Sequence, residues 1–243
     1  MKDTKLIMGM PIVIEIDAEK PEALSSVFDY FRFIDRKFST YKKDSEVSLF
    51  NKGKINKANL SPMFKKILEL CEQTKLETDG YFDIQNGPEI DPSGLVKGWA
   101  IFEASKLLDN LGIDNYYIDA GGDIQVKGLN QEGSRWRVGI RNPFKDQEII
   151  KAVGLTDQGI ATSGTYLRGQ HIYNPKTKNS VDDIISITVI GPNIYEADRF
   201  ATAAFAMGKG GIYFLEAKQD LEAMIIDSLG IATFTTGFNK FLI

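Results

Sequence analysis

Four short stretches of this chain put polar groups in company that could do chemistry. In EADRFATAAFAMG, Asp198 and Thr202 stand four residues apart, so a helix would set both on one face among small alanines. A carboxylate and a hydroxyl on a face otherwise fit for burial are costly unless something satisfies them. A hard cation such as Mg²⁺, which takes oxygen ligands, would do so. So would a hydrogen bond from Thr202 to the turn above, with Asp198 stabilised by the helix dipole. Spacing alone leaves both readings open. The stretch GIATSGTYLRGQHIYNP holds His171, the one histidine of the chain. Its ordinary pKa of ~6.5 lets the imidazole take a proton near neutrality, as a general base must. A lone histidine can equally be a structural or exposed loop residue. Ser163 in the same stretch lacks the G-x-S-x-G elbow that would argue for a nucleophile.

In TDGYFDIQNGPEIDPSGLVKGWA, Lys97 and Gly98 are expected to open a helix. Gly94 and Gly98 would let a ligand approach the backbone, and free amides at the helix start favour an anion such as a phosphate. A turn followed by a helix cap explains the same residues. Neither common nucleotide fingerprint, G-x-G-x-x-G or G-x-x-x-x-G-K-[ST], occurs there. In YIDAGGDIQVKG, Gly121 and Gly122 form a tight turn between two strands that presents Asp123, which a plain hairpin also accounts for.

These groups need elements to hold them. Leu24, Phe28, Phe31, Ile34 and Phe38 recur at helical spacing over 21–38, with Pro21 suited to a first turn. A second helix is marked by Ser61 as cap and Pro62 at the first position, and its stripe runs through Met63, Phe64, Ile67, Leu68 and Cys71 towards Gly80. A third is expected from about Trp99 to Leu111, a fourth over 196–207, and a short fifth in GIYFLEAK. Residues 1–17 read as one strand, and further strands as 115–120, 123–128, 135–141, 184–191 and 222–228. No repeat or linker interrupts the 243 residues, so the pattern predicts one α+β domain with a mixed or antiparallel sheet and flanking helices.

The bulk composition excludes several classes. Hydrophobic residues make up 43% and charged ones 26%, which suits a sizeable core and argues against disorder. The net charge of −4 and scattered basic residues lack a nucleic-acid footprint. A single cysteine allows neither a disulfide framework nor a cysteine-based zinc site, so Cys71 is expected to pack as a small hydrophobe. No window approaches the ~20 apolar residues of a membrane span, and no signal peptide is recognisable, so the chain as given reads as cytoplasmic unless a leader was removed.

Taken in order, the segments resemble the FAD:protein FMN transferase family, the ApbE-type flavin transferases. MGM at 8–10 resembles the family's M-G-T, and FSTYKKDSEVSLFN its F-S-x-Y-x-x-x-S-E block. TDGYFD is similar to G-G-x-F-D, DPSGLVKGWA to D-x-[SG]-G-[LI]-x-K-G-[YW]-A, and YIDAGGDI to N-x-G-G-[DE]. ATSGTYLRGQHIYNP resembles the A-[TS]-S-G-x-Y-x-R-x-x-H-I-x-[DN]-P block, and EADRFATAAFAMG the family's A-D helix. The resemblance implies a T-fold-related architecture over 1–243 and Mg²⁺-dependent transfer of FMN from FAD to a Thr or Ser hydroxyl of an acceptor flavoprotein, with release of AMP. It implies Asp198, Thr202 and the Gly94 carbonyl as metal ligands, and His171 as the base for the acceptor hydroxyl. It implies FAD contacts at Met8, Tyr41, Tyr81, Phe82, Asp83, Asp91, Lys97 and Ile172, with Asp123 and Thr162 nearby. Hydrolysis of FAD to FMN and AMP, or plain FAD binding, are the alternative activities. Two departures stand out. Only Ile84 to Ile90 separate the F-D turn from the D-x-x-G block, where many relatives carry several dozen residues, and the lipidated N-terminal Cys of exported relatives is missing.

Overall fold

The computed structural model describes residues 1–145, 148–165 and 173–243. The N-terminal alternation resolves into two strands, β1 (Lys2–Ile7) and β2 (Met10–Ile16), where the sequence reading had one. Met8 and Gly9 both take positive φ, 56° and 73°, and so form the mirror-image turn that matches strand twist. A Met in this conformation gives no sequence signal, so the alternation runs through the hairpin as if it were one strand.

Helix α1 (Pro21–Phe38) buries the whole predicted stripe, and a short α2 (Glu46–Asn51), absent from the sequence reading, follows it. In α3 (Pro62–Glu77) the Ser61 hydroxyl accepts the Phe64 amide at 3.2 Å, and Cys71, 3% exposed, packs in the core as expected. Two very short strands, β3 (Gln85–Asn86) and β4 (Glu89–Ile90), lead to α4 (Ser93–Asn110). This helix begins six residues before the expected Trp99, because Asp91 Oδ1 accepts the Ser93 amide at 2.9 Å and starts it early. Lys97 and Gly98 therefore lie inside the helix and do not open it.

The rest of the chain runs through β5 (Tyr116–Ala120), β6 (Asp123–Lys127), β7 (Trp136–Arg141), β8 (Ile149–Leu155), β9 (Gly159–Gly164) and β10 (Ile184–Gly191). Helices α5 (Ile194–Ala206) and α6 (Gly211–Glu216) and strands β11 (Glu222–Asp227) and β12 (Ala232–Phe234) complete it. Among the described residues, eight strands form one sheet in the order β1-β2-β5-β6-β9-β10-β11-β12, with every named pairing antiparallel. The expected α+β class holds, with an antiparallel sheet.

This sheet is buried on both faces. Helices α1, α4 and α5 cover one face with Phe28, Phe31, Ile101 and Phe205 at the centre. On the other, β7 and β8 pair as a separate two-stranded sheet, and Trp136, Val138, Ile140, Val153 and Leu155 form a second core with Ile124, Ile160 and Phe238. Burial on both sides explains why β10 reads as a near-continuous apolar run, and why even the polar Asp123 and Gln125 of β6 are buried.

Candidate functional site

The seam between α4 and α5 is set by a residue without a side chain. A Cβ at Gly98 would lie 2.6 Å from Asp198 Cβ and 2.8 Å from its Oδ2, so only glycine lets the two helices approach this closely. The Gly98 amide then donates to Asp198 Oδ2 at 2.8 Å. The glycine read as room for a ligand is thus filled by Asp198, and its amide is already spent.

Asp198 is 3% exposed, and its other oxygen stands 3.8 Å from Lys97 Nζ. Lys97 also pairs with Oδ2 of Asp123, which is 2% exposed and has no other hydrogen-bond partner for that oxygen among the described residues. Asp123 sits at the first position of β6, presented by Gly121 and Gly122 at φ 67° and 100°, as the turn reading anticipated. Its Oδ1 accepts the Thr162 amide at 3.1 Å, which ties β9 to the same point. The Thr162 hydroxyl pairs with Thr188 at 2.9 Å on the opposite sheet face, so only the backbone of Thr162 joins the cluster.

One turn along α5, the Thr202 hydroxyl points at the Gly94 carbonyl, 3.4 Å away, and not at its own helix. A Cβ at Gly94 would touch Thr202 and the Phe82 ring at 3.3 and 3.6 Å, so Phe82 closes this corner. The structure therefore brings together Phe82, Gly94, Lys97, Asp123, Asp198 and Thr202 from four segments distant in sequence. The oxygens along this seam are a hydroxyl facing a backbone carbonyl from the first turn of α4 and, one turn away on α5, a buried carboxylate. That set suits a hard divalent cation far better than a soft one. Among the described residues no cluster of three or more His, Cys, Asp or Glu side chains is found, so any cation held here relies on the hydroxyl and carbonyl as well.

The other expected contacts are spread outward. Tyr41, 96% exposed, and Asp91 line a cleft of about 280 Å³ with Ser48, Asn51 and Ile90, and Asp91 leads directly into α4. Tyr81 lies under Lys176 Nζ, 4.3 Å from the ring centre, and Asp83 is ion-paired with Lys75 at 2.9 Å. Met8 forms the β1–β2 turn, on the side of the sheet end where Met10 packs against Gly121. His171 and Ile172 lie outside the described residues.

Three supporting groups escaped the sequence reading. The Gln125 side chain accepts the Ile194 amide at 2.8 Å and so anchors the start of α5 beneath the sheet. Asn51 exchanges two hydrogen bonds with the Ile90 backbone, 2.9 and 3.0 Å, and holds the cleft wall. Arg199, buried beside Asp198, pairs with Glu77 of α3 and with Glu196 at 2.6 Å, which locks α5 against α3. Each is a polar residue inside an apolar pattern, a signal that marks a role without naming the partner.

Residues 8–90 and 84–225 match the model of the ApbE family. Among curated relatives, the FAD:protein FMN transferase of Vibrio cholerae is 34% identical over 148 residues, 56% of this chain and 44% of its own length. That of Haemophilus influenzae is 26% identical over 79% of this chain and 75% of its own. The first of these alignments thus spans less than half of the relative. Two solved structures share the fold: the flavin transferase ApbE from Vibrio cholerae, TM-score 0.85 at 23% identity, covering 100% of this chain and 99% of that one, and the ApbE protein from Thermotoga maritima, TM-score 0.88 at 19% identity, covering 99% and 98%. No helix among the described residues is long and apolar enough to cross a membrane.

Proposed function

Because the chain belongs to the ApbE family, we propose that residues 1–243 work as one flavin-transfer unit that moves FMN from FAD onto a Thr or Ser hydroxyl of an acceptor protein and releases AMP. The curated relatives are named FAD:protein FMN transferase, which supports the transfer of FMN from FAD to a protein. The observation that carries the reading is the Lys97–Asp123–Asp198 cluster, with both carboxylates buried, beside the Thr202–Gly94 oxygens and against α4, the helix that Asp91 of the Tyr41 cleft leads into.

Chemistry on a diphosphate needs positioning and charge neutralisation more than covalent help. FAD lies with its flavin or adenine ring towards the Tyr41 cleft and the Tyr81–Phe82–Asp83 turn, with Met8 and Ile172 as further contacts. Asp198, Thr202 and the Gly94 carbonyl are the groups that would hold Mg²⁺, which supplies neutralisation of diphosphate charge when bound. Lys97, fixed between two carboxylates, directs its ammonium at the diphosphate. Asp123 restrains that ammonium and, through Thr162, the adjoining strand. His171 takes the proton from the acceptor hydroxyl. The hydroxyl oxygen bonds to the FMN phosphorus, the bond from that phosphorus to the oxygen bridging to AMP breaks, and AMP leaves.

The test is incubation with FAD, Mg²⁺ and candidate acceptor proteins, followed by mass spectrometry for an added FMN that survives denaturation. His171→Ala is expected to keep FAD affinity and lose the adduct. FMN and AMP without a labelled protein would replace transfer by hydrolysis, and neither product would leave FAD binding alone.

A further inference from the structure

Flavin transfer needs a second substrate, and the Tyr41 cleft is assigned to the first. In an in-line displacement the incoming hydroxyl approaches opposite the leaving oxygen, so it needs its own access to the cluster. A second cleft, of about 450 Å³, opens on the other sheet face, between β5, β6 and β9 and the β7–β8 hairpin. It reaches the same centre, because Asp123 and Thr162 stand in its wall. At its rim Gly121 and Gly122 keep the backbone bare of side chains.

Its distinguishing feature is charge. Arg137 and Arg141 are exposed on the same face of β7, four residues apart, and border the cleft. Among the described residues neither forms a close ion pair, although the charge of Arg141 favours ionised Asp119 in the same wall; the buried Arg199, by contrast, is fully engaged. Gly139 between them leaves a gap over which the Ile149 side chain lies. A basic pair on a strand edge beside an apolar patch is suited to a polypeptide with a carboxylate close to an apolar side chain.

We propose that this second cleft is the acceptor site: it takes an extended segment of the acceptor protein, with an acidic residue near the target hydroxyl paired to Arg137 and Arg141, and delivers the hydroxyl past Gly122 to Asp123. This rests on the flavin-transfer reading. The acceptor's carboxylate supplies register and its hydroxyl the reacting atom, so recognition and chemistry are on opposite faces of one sheet.

The test uses the whole protein and an acceptor that the wild type labels with FMN. The double variant R137E/R141E should raise the acceptor KM at least tenfold, with kcat at saturating acceptor and the dissociation constant for FAD unchanged. Replacing the acceptor's acidic residues near the labelled hydroxyl by Lys should recover most of that loss in the double variant and impair the wild type. An unchanged acceptor KM overturns the proposal while leaving flavin transfer standing. A matching fall in FAD affinity also overturns it, since the cleft would then belong to the flavin. If the wild type labels no candidate acceptor, flavin transfer falls, and the acceptor site with it.

Discussion

Single residues show how environment sets the use of a common side chain. Burial alone would raise the Glu46 carboxyl, but Lys37 at 2.7 Å and two hydrogen bonds from Ser61, at 2.6 and 2.7 Å, hold it below its ordinary value. A carboxylate whose folded pKa is depressed adds stability above its unfolded value of about 4.3 and loses it as pH falls through the folded one. Glu46→Gln should therefore show a smaller drop in urea midpoint between pH 6 and pH 3 than the wild type, and an equal drop would refute the role. Asp119 shows the reverse: burial pushes its carboxyl up, the Gly122 amide opposes this, and Asp123 adds to it. Burial also takes the Cys71 thiol up to about 12, which fits its role as packing and not as a nucleophile. Much of the site was legible at this scale. The four-residue spacing of Asp198 and Thr202 does place both on the face of α5 that meets α4, and two glycines do present Asp123. The pairing of Lys97 with Asp123 was not legible, because it depends on how α4 crosses the start of β6, which no local pattern encodes.

Elements were legible in proportion to their periodicity. Helices α1 and α3 carry one apolar face and a proline at the start, so their limits followed from spacing. Strand β9 escaped because GIATSG, rich in small and hydroxyl residues, reads as a ligand loop; pairing with β10 on one side and β6 on the other overrides that. The seam of α4 with α5 depends on Gly98, and its test belongs here. Gly98→Ala must push Asp198 aside or part the helices, at a cost of about 1–3 kcal/mol as for other overpacked contacts. The expected result is a lower thermal midpoint and, on the proposed Mg²⁺-dependent flavin transfer, transfer that no longer saturates at the wild-type Mg²⁺ concentration. A variant as stable as wild type with an unchanged metal requirement would show that the contact is slack.

At the scale of the molecule, a single sheet carries two cores, and the second depends on the last residues described. Phe238 is fully buried against β7, β8 and β11, Leu242 bridges to Val153, and the Ile243 amide reaches the Ala152 carbonyl at 3.2 Å. Phe238→Ala should cost roughly 3–5 kcal/mol, read from denaturant midpoints, since the cavity opens where the tail, the hairpin and the sheet meet. A loss below about 1 kcal/mol would mean that this face can repack.

The independence of the β7–β8 ladder has an evolutionary corollary. Among the described residues no strand of the large sheet pairs with it, so the hairpin is joined by apolar packing, its two connections and a few hydrogen bonds, from the Trp136 indole to the Lys127 carbonyl and from the last residues to β8. Apolar packing tolerates volume-conserving exchange far better than a register does. A lineage, or an engineer, can therefore graft a different hairpin here while the α4–α5 seam is inherited untouched; if the hairpin cleft is the acceptor site proposed above, such a graft redirects which proteins receive the flavin.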